Sequence, residues 1–138
     1  MRALYCRDWQ PFNDLEIGDL PDPTPPEKGL RIRVLAAGVS FAQSLVVQGK
    51  YQRKPPLPFT PGSEVAGIVE AVGPGAFRFK VGDRVFSMVD WGGLAEKAAA
   101  LEVNTYPMPD GMEYAHAISI TNSYGTSAAA LTWQHLLN

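Results

Sequence analysis

Phe59-Thr60-Pro61-Gly62-Ser63-Glu64-Val65-Ala66-Gly67-Ile68-Val69 passes within eleven residues from a rigid turn to an apolar run. Proline fixes φ and withholds an N–H, and the glycine after it reaches backbone angles closed to other residues, so Pro61-Gly62 reads as a turn. The run continues to Val72. Its β-branched content marks residues 65 to 72 as a strand. A glycine inside a strand, as at Gly67, signals a bulge or a close approach of another backbone. Gly62, Gly73, Gly82 and Asp83 are likewise explained by backbone geometry, with no chemistry required of them.

Upstream, Tyr51 to Pro61 holds four prolines, which forbid regular helix and central strand, so the segment is a loop of restricted flexibility. Before it, Phe41-Ala42-Gln43-Ser44-Leu45-Val46-Val47-Gln48-Gly49 reads as a two-turn helix ended by Gly49. Leu30-Arg31-Ile32-Arg33-Val34 alternates apolar and basic residues, the pattern of a strand with one buried face, and the strand extends to Ala37. Arg2 to Cys6, Leu15 to Ile17 and Arg84 to Val89 complete the expected strands, separated by turns such as Gly73-Pro74-Gly75 and Val81-Gly82-Asp83. Many short strands with frequent turns suggest a barrel or a sandwich.

The last 29 residues contain no proline and carry the strongest helical pattern. Helices are expected over Met112 to Ser123 and, after Gly125, over Thr126 to Leu137. Ala129, Ala130, Trp133, Leu136 and Leu137 recur at helical spacing and form an apolar stripe that needs a surface to pack on. Leu94 to Leu101 has high helix propensity from its alanines, which by itself predicts helix.

The 138 residues carry 12 Lys and Arg against 14 Asp and Glu, a formal charge of −2, and 46% apolar residues. That describes one ordinary soluble domain with too little positive charge for nucleic acid or an anionic membrane. No apolar run is long enough to span a bilayer, and the N-terminus lacks the basic-then-apolar pattern of a secretion signal, so a cytoplasmic location is expected. A single cysteine, Cys6, forms no internal disulfide and reads as a small buried apolar residue ending a strand. With only that cysteine and two histidines, His116 and His135, zinc is not expected. No G-x-G-x-x-G or Walker A pattern is present, so the chain lacks a complete nucleotide site.

Further blocks surround the opening stretch in order: Gly38-Val39-Ser40-Phe41-Ala42-Gln43, Tyr51 before the proline loop, Val72-Gly73-Pro74-Gly75-Ala76, Phe79-Lys80-Val81-Gly82-Asp83-Arg84-Val85 and Gly92-Gly93-Leu94-Ala95-Glu96. Together they resemble the medium-chain dehydrogenase/reductase superfamily almost end to end. Among its branches the sequence is most similar to the zinc-independent, zeta-crystallin-like quinone oxidoreductases. The resemblance implies a mainly β fold with some α: a GroES-like, partly open β-barrel over residues 1–111, then a helical connection, 112–138, leading toward a Rossmann domain that this chain does not include. It also makes Gly93 to Ala100 a strand, against propensity. Zinc-dependent relatives place a ligand Cys where Ser40 stands and a His where Ser63 stands, which agrees with the reading of no metal.

The resemblance implies the catalytic half of an NADPH-dependent enzyme that reduces quinones or α,β-unsaturated carbonyls by hydride transfer, with little activity from this chain alone. Ser40 and Tyr51 take the catalytic positions, and Ser40 and Thr126 the cofactor-facing ones. The branch commonly has Asn where Ser40 stands. Each residue has a structural alternative: Ser40 as the cap of the helix at Phe41, Tyr51 as a cover for the proline loop, Thr126 as the cap of the last helix. Phe41 and Tyr124 are read as core or cleft wall, and Glu64 as structural. Arg53 and Lys54 are solvated charges or contacts for an anion. The C-terminal stripe suggests pairing with a second copy. The competing reading is a freestanding, non-catalytic GroES-like binding module.

Overall fold

The computed structural model describes residues 1–136. Five antiparallel strands form one sheet in the order β6-β3-β4-β5-β7: β3 (Gly29–Ala37), β4 (Glu64–Val72), β5 (Arg84–Met88), β6 (Lys97–Leu101) and β7 (Thr105–Pro107). A two-stranded ribbon, β1 (Arg2–Tyr5) and β2 (Glu16–Asp19), lies against it. The ribbon joins the sheet through Leu94 and Glu96: the Leu4 amide donates to the Leu94 carbonyl at 2.9 Å and the Glu96 amide to the Arg2 carbonyl at 3.0 Å. A bridge between Cys6 and Phe59 ties its end to the proline loop. The result is the partly open GroES-like barrel.

The alternation in β3 works as the sequence predicts. Leu30 and Ile32 are fully buried and pack with Val65, Val69, Val85 and Val89, while Arg31 turns outward to Glu70 at 3.3 Å. The alanines of β6 serve the same core. Ala98 and Ala100 point inward and their neighbours outward, so pairing with β3 overrides helix propensity, and the strand begins at Lys97. β7 was not expected from the sequence; it pairs antiparallel with β5 at the edge of the sheet.

β3 and β4 approach so closely at Gly67 that a Cβ there would lie 1.9 Å from the Arg33 carbonyl oxygen. Gly62, at φ +101°, makes the turn into β4 where a side chain would strike the Leu94 backbone.

The helix α1 (Phe41–Val47) ends as expected, with Gly49 at φ +66° and the Lys50 amide reaching back to the Leu45 carbonyl. The C-terminal part differs from expectation. α2 (Tyr114–Ser119) continues through a wider π turn (Ile120–Tyr124) into α3 (Gly125–Leu136) without a break. Gly125 keeps helical angles, φ −61° and ψ −45°, and its N–H reaches the Ile120 carbonyl. Ala117 and Ile118 of α2 pack on Ala66 and Phe86 of the sheet. Further along, Ala130 and Trp133 of the stripe are exposed, Trp133 at 68%, and so is Leu131 beside them at 76%, so the stripe on α3 is unpacked there; Leu137 lies outside the described residues. No helix among the described residues is long and apolar enough to cross a membrane.

Gly67→Ala is expected to destabilise the chain by about 1–3 kcal/mol through overpacking. Gly18→Ala, where a Cβ meets nothing within 4 Å, is expected to stay within about 0.5 kcal/mol of the parent. Urea unfolding midpoints compare the two.

Candidate functional site

A cleft of about 610 Å³ opens between the start of α1, the proline loop, the start of β4 and the loop after β5. Ser40 and Tyr51 both line it, together with Gln43, Ser63 and Asn122. Ser40 occupies the N-cap position of α1 in extended conformation, yet its side chain makes no capping bond. Its carbonyl accepts from the Gln43 amide at 3.0 Å, which leaves the hydroxyl to the cleft. Tyr51 packs against the buried cluster of Cys6, Val46, Val47 and Phe59 and also lines the cleft.

Gln43 is the residue that sequence reasoning missed. It is buried. Its Oε1 accepts from the Gly62 amide at 3.0 Å and its Nε2 donates to Ser63 Oγ at 3.1 Å, so one side chain joins α1 to the Pro61-Gly62-Ser63 turn. Because Ser63 Oγ accepts from Gln43, its own proton remains free to be donated. The available signal was Gln43 sharing the apolar face of Val46 and Val47, three and four residues on.

Glu64 follows at the start of β4 and is only 7% exposed. A Cβ on Gly38 would lie 2.3 Å from its Oε2, so the chain leaves room for the carboxylate there. Its Oε1 has no hydrogen-bond partner. Burial pushes the carboxyl above the usual carboxylate range, and the nearby Asn122 amide opposes that shift. At the cleft rim Arg53 pairs with Asp90 at 2.9 Å, both side chains largely exposed, so this charge is already engaged.

Thr126 is exposed and outside the residues that line the cleft. The helix is already formed before it, so it caps nothing. Phe41 and Tyr124 are neither core nor cleft wall: they are 80% and 68% exposed and absent from the lining. Cys6 is fully buried with Val46, Val47 and Phe59, and burial, then the charge of Asp8, raises its thiol pKa. Among the described residues no three His, Cys, Asp or Glu side chains converge. The cleft instead gathers hydroxyls and amides, a donor set suited to a neutral polar group such as a carbonyl or a carboxamide.

The model of the alcohol dehydrogenase GroES-like domain matches residues 26–110. Quinone oxidoreductase of Rattus norvegicus is 43% identical over 134 residues, covering 95% of this chain and 40% of that protein. Human synaptic vesicle membrane protein VAT-1 homolog-like protein superposes with a TM-score of 0.91 at 32% identity, over 96% of this chain and 43% of that one. Quinone oxidoreductase of Thermus thermophilus, whose structure was also determined in complex with NADPH, gives 0.80 at 34% identity, over 95% and 40%. The chain thus spans about 40% of the length of the curated relative it matches. It belongs to the alcohol dehydrogenase GroES-like domain family and corresponds to the N-terminal part of that family's quinone oxidoreductases.

Proposed function

We propose that this chain is the substrate-side half of an NADPH-dependent oxidoreductase that reduces quinones or α,β-unsaturated carbonyls without zinc, and that it has little or no activity by itself. The observation that carries the reading is the Ser40 hydroxyl, freed from capping and sharing one cleft with Tyr51. The names of its relatives, and the NADPH complex of the Thermus thermophilus enzyme, support the same class.

The residues present suit one end of the cofactor. The hydroxyls of Ser40 and Ser63 and the Asn122 amide match the hydrogen-bonding needs of a nicotinamide carboxamide. The phosphates call for a glycine-rich strand-to-helix turn, so they would be held by the domain to which residues 112–138 lead. NADPH, when bound, supplies the hydride. As hydride reaches the electron-poor carbon, negative charge develops on the substrate's carbonyl oxygen. Ser40 Oγ–H and Tyr51 Oη–H stabilise that charge by donating to the oxygen. Gln43 keeps the Ser63 hydroxyl aligned, and Pro55 and Val46 limit water along the wall. Thr126 takes a cofactor contact only when the following domain covers α3. The exposed Leu131 and Trp133 support covering of that helix by the cofactor-binding domain or by a second copy of the chain. The buried free thiol of Cys6 is in keeping with a cytoplasmic location.

NADPH oxidation is to be followed with a panel of quinones and enones, on this chain and on the complete polypeptide its coding sequence specifies. Turnover by the complete polypeptide alone is expected; a complete polypeptide that binds no NADPH overturns the reading. In it, Ser40→Ala and Tyr51→Phe are each expected to lower kcat/KM by about a hundredfold, the cost of removing one donor to a developing oxyanion. Gln43→Leu orphans the Gly62 amide and is expected to destabilise the chain by about 1–3 kcal/mol, read from the urea midpoint.

A further inference from the structure

Gly125 is a glycine without a backbone reason. Its angles, φ −61° and ψ −45°, are those of any helical residue, and a Cβ built on it would meet only the Ile120 carbonyl oxygen, at 3.6 Å, an ordinary contact. Within a continuous helix, glycine is the least favourable residue after proline. What its bare Cα leaves is space. Gly125 lines a second pocket, of about 280 Å³, with Phe86 and Met88 of β5, Tyr106 of β7 and Ile120 of the π turn.

The pocket adjoins the cleft, since Met88 and Asn104 line both. Its wall is aromatic: the Phe86 and Tyr106 rings stack with centroids 5.5 Å apart and planes 23° apart. Among the described residues its lining carries no charged side chain, so a charged occupant would find no partner there. A site for a whole drug-sized ligand measures roughly 300–1,000 Å³, whereas a cavity of about 150 Å³ takes a benzene ring. The space therefore suits one ring of a larger ligand.

We propose that this pocket is a specificity subsite of the cleft, holding the aryl substituent of an electrophile whose carbonyl lies at Ser40 and Tyr51, and that Gly125 is the residue that keeps it open. The occupant rests on the reductase reading above; the pocket and the part of Gly125 in it do not. An aryl ring is favoured over an alkyl chain because the Phe86 and Tyr106 rings offer it aromatic contacts beyond the area it buries. The Met88 thioether adds a contact of the same kind. Both Met88 and Tyr106 are exposed in this chain, and a ring in the pocket would cover them.

A side chain at position 125 acts oppositely on fold and on binding. Gly125→Ala is expected to unfold at a higher urea concentration than the parent, because the helix gains a better former; a lower midpoint overturns the claim that the glycine is kept for space. Binding is read in the present chain from methyl resonances during titration with 4-phenylbut-3-en-2-one. The Ile120 methyls, which line the pocket but not the cleft, are expected to shift in the parent and to shift little in Gly125→Leu, whose side chain fills the space. The Val46 methyls, which line the cleft but not the pocket, report the carbonyl end. Ile120 methyls that stay fixed, whether or not those of Val46 move, overturn the subsite.

In the complete polypeptide, kcat/KM for that ketone is divided by kcat/KM for pent-3-en-2-one, which carries methyl in place of phenyl. From parent to Gly125→Leu the ratio is expected to fall about tenfold, the lower end of the effect of filling or emptying an apolar pocket, and Gly125→Ala to show a smaller fall in the same direction. Comparing variants cancels the difference in intrinsic reactivity between the two ketones. A complete polypeptide that binds NADPH but shows an unchanged ratio, or no turnover of the aryl ketone, overturns the occupant. One that binds no NADPH removes the reductase reading, while the Ile120 resonances still decide the pocket.

Discussion

The structure depends on how closely β4 can lie against its neighbours. At Gly67 the backbone of β4 meets the Arg33 carbonyl at a distance that excludes even a methyl group. At Gly62 the turn into the same strand abuts Gly93 and Leu94. The two contacts press β4 between β3 and the segment entering β6, which curves the sheet. That curvature lets the β1–β2 ribbon reach Leu94 and Glu96 and partly close the barrel. Hydrophobic burial supplies the driving force, but the missing side chains at two positions decide which compact shape it produces.

The cleft follows from that curvature. Once the Pro61-Gly62-Ser63 turn is fixed against Leu94, α1 has to be held to it, and Gln43 does so with both ends of its amide. A buried amide satisfied at both ends is costly to disturb, because displacing it leaves polar groups dry and unpaired. The hydroxyls of Ser40 and Ser63 thus rest on strands, a helix start and a bonded turn, and little of their placement is left to the loop. Glu102 shows the same economy away from the cleft, where its carboxylate receives the Phe77 and Arg78 amides and anchors the turn before β5.

The central strands were legible because their signals are local. Alternation marked β3, β-branched residues marked β4, and glycine and proline marked the turns between them. The parts that were not legible owe their form to partners distant in sequence. β6 is made of alanines that favour helix until β3 pairs with them. β7 is three residues long and exists through β5. Gly125 looked like a break because glycine often ends helices, but here the helix backbone stays continuous through it. Phe41 looked like core or wall and is instead exposed, since the apolar face of α1 is set by Val46 and Val47 one turn later. In the site, the motif positions of Ser40 and Tyr51 led to the cleft, whereas Gln43 stands in the same block as Ser40 with nothing there to announce its role. That role comes from an amide's capacity to donate and accept at once, which shows only when both partners are in place.

The π turn connects two demands that a regular helix cannot meet together. α2 has to keep Ala117 and Ile118 on the sheet, and α3 has to leave it, as the exposed Leu131 and Trp133 show. An α-helix holding one phase throughout would carry the same face along its length. Widening one turn changes that phase, so the sheet-facing stripe ends at Ile120 and the next residues on that side face the cleft. Asn122 falls in the widened turn and lines the cleft. The helix thereby contributes to the cleft as well as to the packing of the sheet. Any domain that covers α3 would do so on a helix whose phase had already been set at the cleft.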